Sequence, residues 1–176
     1  MREIRPWVIL TLSIAAIGAI AAQSDAQDRT TATYEDWVVE CQAGAGSPPR
    51  QTCDMAQLTL VQGKNAPYSR VALESPKAGG QLKLIIQVPV NVSIATNVVI
   101  RTGDADPGLT APFARCTPEG CFADFVVGDE ALKRLRAAGG GGHLNFADAA
   151  GRQVVIPLSF KGFGQALDAL ARLSKE

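Results

Sequence analysis

The chain has 176 residues, with 17 basic and 17 acidic side chains and a formal net charge of zero. That balance exerts no long-range pull toward nucleic acid or anionic membrane. The basic residues are scattered, without the Arg/Lys stripe interleaved with aromatics that a strand-binding surface needs.

The first segment has the layout of a secretory signal. Arg2 and Arg5 form a short positive region, Trp7 to Ala22 is uncharged and mostly apolar, and small residues follow at Ser24-Asp25-Ala26. The apolar run of about 16 residues falls short of the roughly 20 that a spanning helix wants. Cleavage before Gln27 removes residues 1–26, leaves no stable membrane span, and keeps 15 basic and 15 acidic residues in balance. The mature chain of about 150 residues is one domain of ordinary size, large enough to bury a core without help.

Residues 27–33 are polar and read as a flexible lead-in, with a single β domain over 34–176. Tyr34 to Cys41 alternates, with Trp37, Val39 and Cys41 on one face, which predicts a strand. Gly44 to Pro49 is a loop by composition, and Gln51 to Gln62 returns as a strand carrying Cys53. Tyr68 to Glu74 is a short strand. Gln81 to Val88 is the strongest strand signal in the chain, ended by Pro89. Asn91 to Ala95 and Asn97 to Arg101 are further β-branched runs, and Gly103 to Pro112 reads as a long loop.

Phe113 leads into Cys116-Thr117-Pro118-Glu119-Gly120-Cys121, a tight turn bounded by cysteines, and a strand continues through Phe125 and Val127. Asp129 is a good helix N-cap, and Leu132 and Leu135 share a face before Gly139 stops the helix. Gly139 to Gly142 reads as a flexible connector. It follows a helix and lacks the Lys-Ser/Thr ending of a phosphate loop. His143 to Phe146 and Gln153 to Leu158 predict a final strand pair, and Phe163 to Ser174 a closing helix. The expected fold is mainly β, an antiparallel β-sandwich or partly open barrel with two short helices.

Four cysteines in an exported chain argue for two disulfides, for which three connectivities exist. Pairing neighbours, Cys41 with Cys53 and Cys116 with Cys121, closes loops of 13 and 6 residues, and this is the pairing expected. The spacings suit neither a zinc site nor a redox motif.

Chemistry is sparse. His143 is the single histidine, no serine sits in a G-x-S-x-G turn, and no triad is visible. Asp104-Ala105-Asp106-Pro107-Gly108 resembles the start of a calcium loop. Gly108 and Arg115 stand where the later ligands belong, so it reads as an Asx turn. No catalytic, cofactor-binding or metal-ligating residue is assigned.

The chain resembles the invasion-associated locus B proteins of alphaproteobacteria from roughly Trp37 to Leu170. The resemblance rests on Trp37-x-x-x-Cys41, Cys53 with Gln57 after it, Val88-Pro89-Val90-x-Val92, Cys116-x-x-x-Gly120-Cys121 and Ser159 to Leu167. Asn91 stands where the family often has glycine. The resemblance implies an exported, disulfide-bonded bacterial envelope protein that is periplasmic, outer-membrane-associated or secreted. It also implies a role in host-cell invasion or adhesion for pathogenic members. It brings no catalytic residues. The expected function is therefore a non-enzymatic module binding an envelope or host-surface protein or glycan. The alternatives are an enzyme on envelope carbohydrate or peptide, using carboxylates gathered by the fold, and a structural protein with no dedicated ligand.

Overall fold

The computed structural model describes residues 29–44, 51–61, 63, 67–75 and 80–174; the signal reading of residues 1–26 lies outside them. The elements, in chain order, are β1 (Arg29–Tyr34), β2 (Trp37–Ala43), β3 (Gln51–Thr59), β4 (Ser69–Glu74), β5 (Lys83–Val88) and β6 (Asn97–Arg101). They continue as β7 (Leu109–Thr117), β8 (Gly120–Val126), α1 (Asp129–Ala137), β9 (Gly141–Ala147), β10 (Gln153–Ser159) and α2 (Phe163–Leu173). The strands form one open antiparallel sheet in the order β1-β2-β3-β4-β5-β8-β7-β6-β9-β10. The described residues are mainly β with two helices, as the alternation of apolar residues predicts.

Each central strand buries every second residue, so Val39, Met55, Leu73, Leu84, Ile86, Ala123, Ile100, Leu144 and Ile156 line one interior. The long strand β7 passes from β8 to β6 with a register shift between Phe113 and Arg115. Such a bulge bends a strand, and here it carries the second half of the sheet round until β10 lies against β3. α2 packs on β1, β2 and β3. Its Phe163 meets Trp37 edge to face, with ring centroids 5.1 Å apart. Arg136 of α1 grips Asp168 of α2 through two hydrogen bonds, 2.7 and 3.1 Å long.

The seam between the sheet's two halves is held by side-chain hydrogen bonds from Gln57 and Trp37. Gln57, 9% exposed on β3, donates from Nε2 to Ser159 O at 2.9 Å and to Asp36 O at 3.2 Å. Its Oε1 accepts the Ser159 N–H at 2.8 Å. The Trp37 indole N–H donates to the same Ser159 carbonyl at 2.9 Å. Just beyond, Gly162 has φ 78°, and a side chain there would overlap the Tyr34 carbonyl. Only glycine allows both the conformation and the approach.

Six local readings are corrected. Residues 29–33, expected as a lead-in, belong to β1, which pairs along β2; a turn at Glu35 and Asp36 divides the single strand expected over Tyr34 to Cys41. Asn91 to Ala95 is not a strand. It makes one isolated bridge, Val92 to Asp148, and Asn91 sits at φ 72°. The family's glycine position is thus a left-handed one, which asparagine tolerates better than most residues. The loop after β6 is shorter than expected, because β7 begins at Leu109. The N-cap is Gly128, not Asp129, and Asp129 with Glu130 instead sits in the first turn, at the positive end of the helix. Gly141 and Gly142 belong to β9. A side chain on Gly142 would overlap the Arg101 carbonyl, so its smallness lets β9 close on β6.

Candidate binding face and family relationship

The four cysteines form two disulfides, Cys41–Cys53 and Cys116–Cys121. Cys41 and Cys53 stand directly opposite on β2 and β3, buried in the core. Cys116 and Cys121 face each other across the β7–β8 hairpin, whose loop is reduced to Pro118 and Glu119 by the Thr117–Gly120 pair. Gly120 is required there, since a Cβ would come 2.7 Å from Val88 O. Gln87 donates to Glu119 O at 2.9 Å and ties the tip to β5. Both disulfides are structural cross-links on separate parts of the sheet.

The residues that face outward from β7, β6, β9 and β10 form a different kind of surface. Register places Thr110, Val99, Asn145 and Val155 in one cross-strand row. Arg101, His143 and Pro157 make the next row, and Asn97 and Gln153 lie beyond the first on its other side. This face is an open concavity of about 660 Å³ whose lining contains amides, hydroxyls, valines and Arg101, and no Asp or Glu. His143, expected at a strand start, lies within β9 beside Arg101.

Both ends of the face are pinned by aspartates. At the Arg101 end, Asp106 Oδ2 accepts the Thr102 N–H at 2.9 Å and its hydroxyl at 2.7 Å, while Oδ1 accepts the Gly108 N–H at 3.0 Å. Arg134 of α1 adds an ion pair at 3.5 Å. These contacts, the Gly108 N–H first, hold the Asp106 carboxyl down to about 2. The Asx turn expected here is present, with Asp106 accepting the Gly108 N–H two residues on, and the same carboxylate also ties down Thr102. Among the described residues no cluster of three or more His, Cys, Asp or Glu could hold a metal.

At the other end, Asp148 closes the β9–β10 turn. Its Oδ1 accepts the Ala150 and Arg152 N–H groups, both at 2.9 Å, and its Oδ2 accepts Arg152 Nε at 2.8 Å. The Arg152 N–H and side chain hold this carboxyl below its usual range. Ala149 donates to Asn91 O at 3.0 Å, and Ser93 to Ala147 O at 2.9 Å, which docks the loop before β6 along the same rim.

Arg101 is the unusual member of the face. Its Nη1 donates to Asp106 O at 3.1 Å, yet its Nε is buried without a partner. It takes part in none of the ion pairs among the described residues. Nothing in the sequence singles it out: the alternation Asn97, Val99, Arg101 shows which side chains share a face. The meeting with Asn145 and Val155 depends on pairing across some forty residues of chain.

A second exposed feature lies at the end of the β3–β4 pair, where Leu58, Leu60, Val61 and Tyr68 are accessible apolar residues. None of the described helices is long and apolar enough to cross a membrane.

Comparison with known proteins agrees with this architecture. Residues 37–171 match the family model described as "Invasion associated locus B (IalB) protein". Two invasion protein B homologs of Brucella abortus, from strain 2308 and from biovar 1 strain 9-941, are each 30% identical over 149 residues. The alignment covers 81% of this chain and 80% of either relative. The crystal structure of invasion associated protein B from Bartonella henselae superposes with a TM-score of 0.70 at 22% identity. It covers 84% of this chain and 99% of that one, and it shares the fold. The chain belongs to the invasion associated locus B family.

Proposed function

We propose that this chain is an exported, non-enzymatic binding module of the bacterial envelope, and that the concave face of β7, β6, β9 and β10 is where it meets its partner. The observation that carries this reading is the character of that face. It is shaped by two aspartate-pinned loops, and the residues lining the concavity form hydrogen bonds and include no carboxylate, with Arg101 as the charged group and His143 in the row beside it. A triad or a carboxylate pair would need acidic partners that this lining lacks. Recognition needs fixed donors and acceptors with some apolar contact, which Asn97, Asn145, Gln153, Val99 and Val155 supply. The Brucella and Bartonella relatives are named for invasion, which supports a place in invasion where the source bacterium meets a host. Export, to the periplasm, outer membrane surface or medium, is supported by the two disulfides.

The test is site-specific photo-cross-linking in the source bacterium. A photoreactive residue at Val155, 63% exposed on the face, should yield one defined product. The same residue at Glu130, exposed on α1, should yield none. Digestion of the product with protease or periodate tells a protein partner from a glycan. Equal labelling from both positions, or none from Val155, overturns the reading. Mass analysis of the purified protein for a chain beginning at Gln27 checks export.

A further inference from the structure

We infer that the concave face is a site for an acidic oligosaccharide, with Arg101 receiving the sugar carboxylate and the amides of Asn97, Asn145 and Gln153 meeting its hydroxyls. This rests on the reading of the chain as a binding module and names the chemistry of what it binds. The argument begins with Arg101. A part-buried guanidinium has lost much of its hydration and ordinarily regains it in an ion pair. Arg101 has only the Asp106 carbonyl, on Nη1, and its Nε is buried without a partner. The nearby Asp106 carboxylate is committed to Thr102, Gly108 and Arg134 and does not serve it. The guanidinium fork matches a planar carboxylate through two parallel hydrogen bonds; Nε is closed to solvent, so the pairing requires the side chain to swing outward into the concavity it lines.

The rest of the lining selects the body of the ligand. A carboxamide donates from nitrogen and accepts at oxygen, as a hydroxyl both donates and accepts, so Asn and Gln suit vicinal hydroxyls. Val99 and Val155, in one row with Asn145 between them, offer apolar contact to the C–H side of a sugar ring. An extended peptide fits less well. β7, β6 and β9 are interior strands with both edges already hydrogen-bonded, so the middle of the floor offers no free backbone to recognise a main chain, and the open edge of β10 lies at its border and carries Pro157. The volume of about 660 Å³ lies within the range of small-ligand sites.

The experiment titrates the exported, 15N-labelled protein with trigalacturonate, its methyl ester, triglutamate and acetate, and reads backbone amide shifts. Trigalacturonate should move amides of β6, β9 and β10, and the ester should bind about tenfold more weakly, the worth of a charge-assisted pair. Triglutamate and acetate should bind more weakly still. Arg101→Gln should abolish the preference for acid over ester. Asn145→Asp, isosteric on an outward position, should weaken trigalacturonate about tenfold by adding a like charge to the face, with the fold unchanged by circular dichroism. Equal binding of acid and ester, triglutamate as good as the sugar, shifts elsewhere, or none at all each overturn the assignment. If cross-linking from Val155 succeeds while the titration fails, only the sugar chemistry falls. If both fail, the binding reading falls with it.

Discussion

Replacing Gln57 with leucine tests what closes this sheet. The substitution keeps the side chain's approximate volume on a stem one atom shorter and removes three hydrogen bonds, to Ser159 O, Ser159 N and Asp36 O. Each is worth about 1 kcal/mol net, and a donor left unpaired in the interior costs about 1–3 kcal/mol more. The Ser159 carbonyl keeps its bond from Trp37, so the stranded groups are the Ser159 N–H and the Asp36 carbonyl. Added apolar burial by leucine offsets part of the loss, which leaves a net destabilisation of about 3 kcal/mol. For a domain of this size that lowers Tm by roughly 10 °C. Urea denaturation should show a lower midpoint with an unchanged slope, because the exposed surface of the unfolded chain is the same. Gln87→Leu is the control: it removes one exposed bond, to Glu119 O, and should cost less than about 0.5 kcal/mol. A third variant, Gln57→Glu, puts a carboxylate against two carbonyls. Its folded pKa should rise, so its penalty should be full at neutral pH and ease as pH falls and the acid becomes a donor. A loss below about 1 kcal/mol for Gln57→Leu, or one no larger than for Gln87→Leu, would refute the claim that this amide latches the two halves.

Three further outcomes follow from the same structure. Asp106 has a folded pKa depressed to about 2, so its contribution of roughly 2 kcal/mol is present above its unfolded pKa and lost as pH falls from about 4 to 2. Denaturation of the native protein and Asp106→Asn across that range should show their stability difference shrinking toward acid. The disulfides close loops of 13 and 6 residues; on the chain-entropy model removing Cys41–Cys53 should cost about 3 kcal/mol and Cys116–Cys121 about 2 kcal/mol. Paired Cys→Ala variants compared by urea midpoint decide it, and the reverse order would show that native-state contacts dominate over loop length. At Asn91, held at φ 72°, Gly should be neutral or slightly stabilising and Ala should cost about 1 kcal/mol, read as Tm shifts.

Local sequence signals located the elements well where burial alternates, as in Gln81 to Val88, and less well where backbone geometry is decided by distant contacts. Arg29 to Thr33 has no apolar alternation because β1 is an edge strand whose side chains are largely exposed; its order comes from pairing with β2. Asn91 to Ala95 carries β-branched residues yet follows the rim of the face, since its backbone is claimed by Ala147 and Ala149. The Gly139 to Gly142 run looks like a linker by composition. Two of its glycines are strand residues, one of them chosen for contact with a carbonyl that the sequence places forty positions earlier. Gln57 was visible through the family resemblance alone, because a buried amide's worth depends on partners over a hundred residues away.

The residues that carry the family resemblance and the residues that line the concave face are different sets. Trp37, Gln57, Ser159, Gly162 and Phe163 meet at one seam, where indole, amide, backbone and ring contacts join β2, β3, β10 and α2. The two cysteine pairs brace the sheet elsewhere. Losing any of these would damage the fold whatever the protein binds. Asn97, Arg101, Asn145, Gln153 and Val155 point away from that seam and belong to none of the matching motifs. Their side chains can change at little cost to the core, because the inward positions of the same strands, Val98, Ile100, Leu144 and Ile156, hold the packing. The scaffold therefore separates the residues that specify the fold from those free to specify a ligand. Family membership then transfers the fold to this chain, while the partner proposed above would be recognised by residues of its own outer face, with Arg101 as the group that most constrains the proposal.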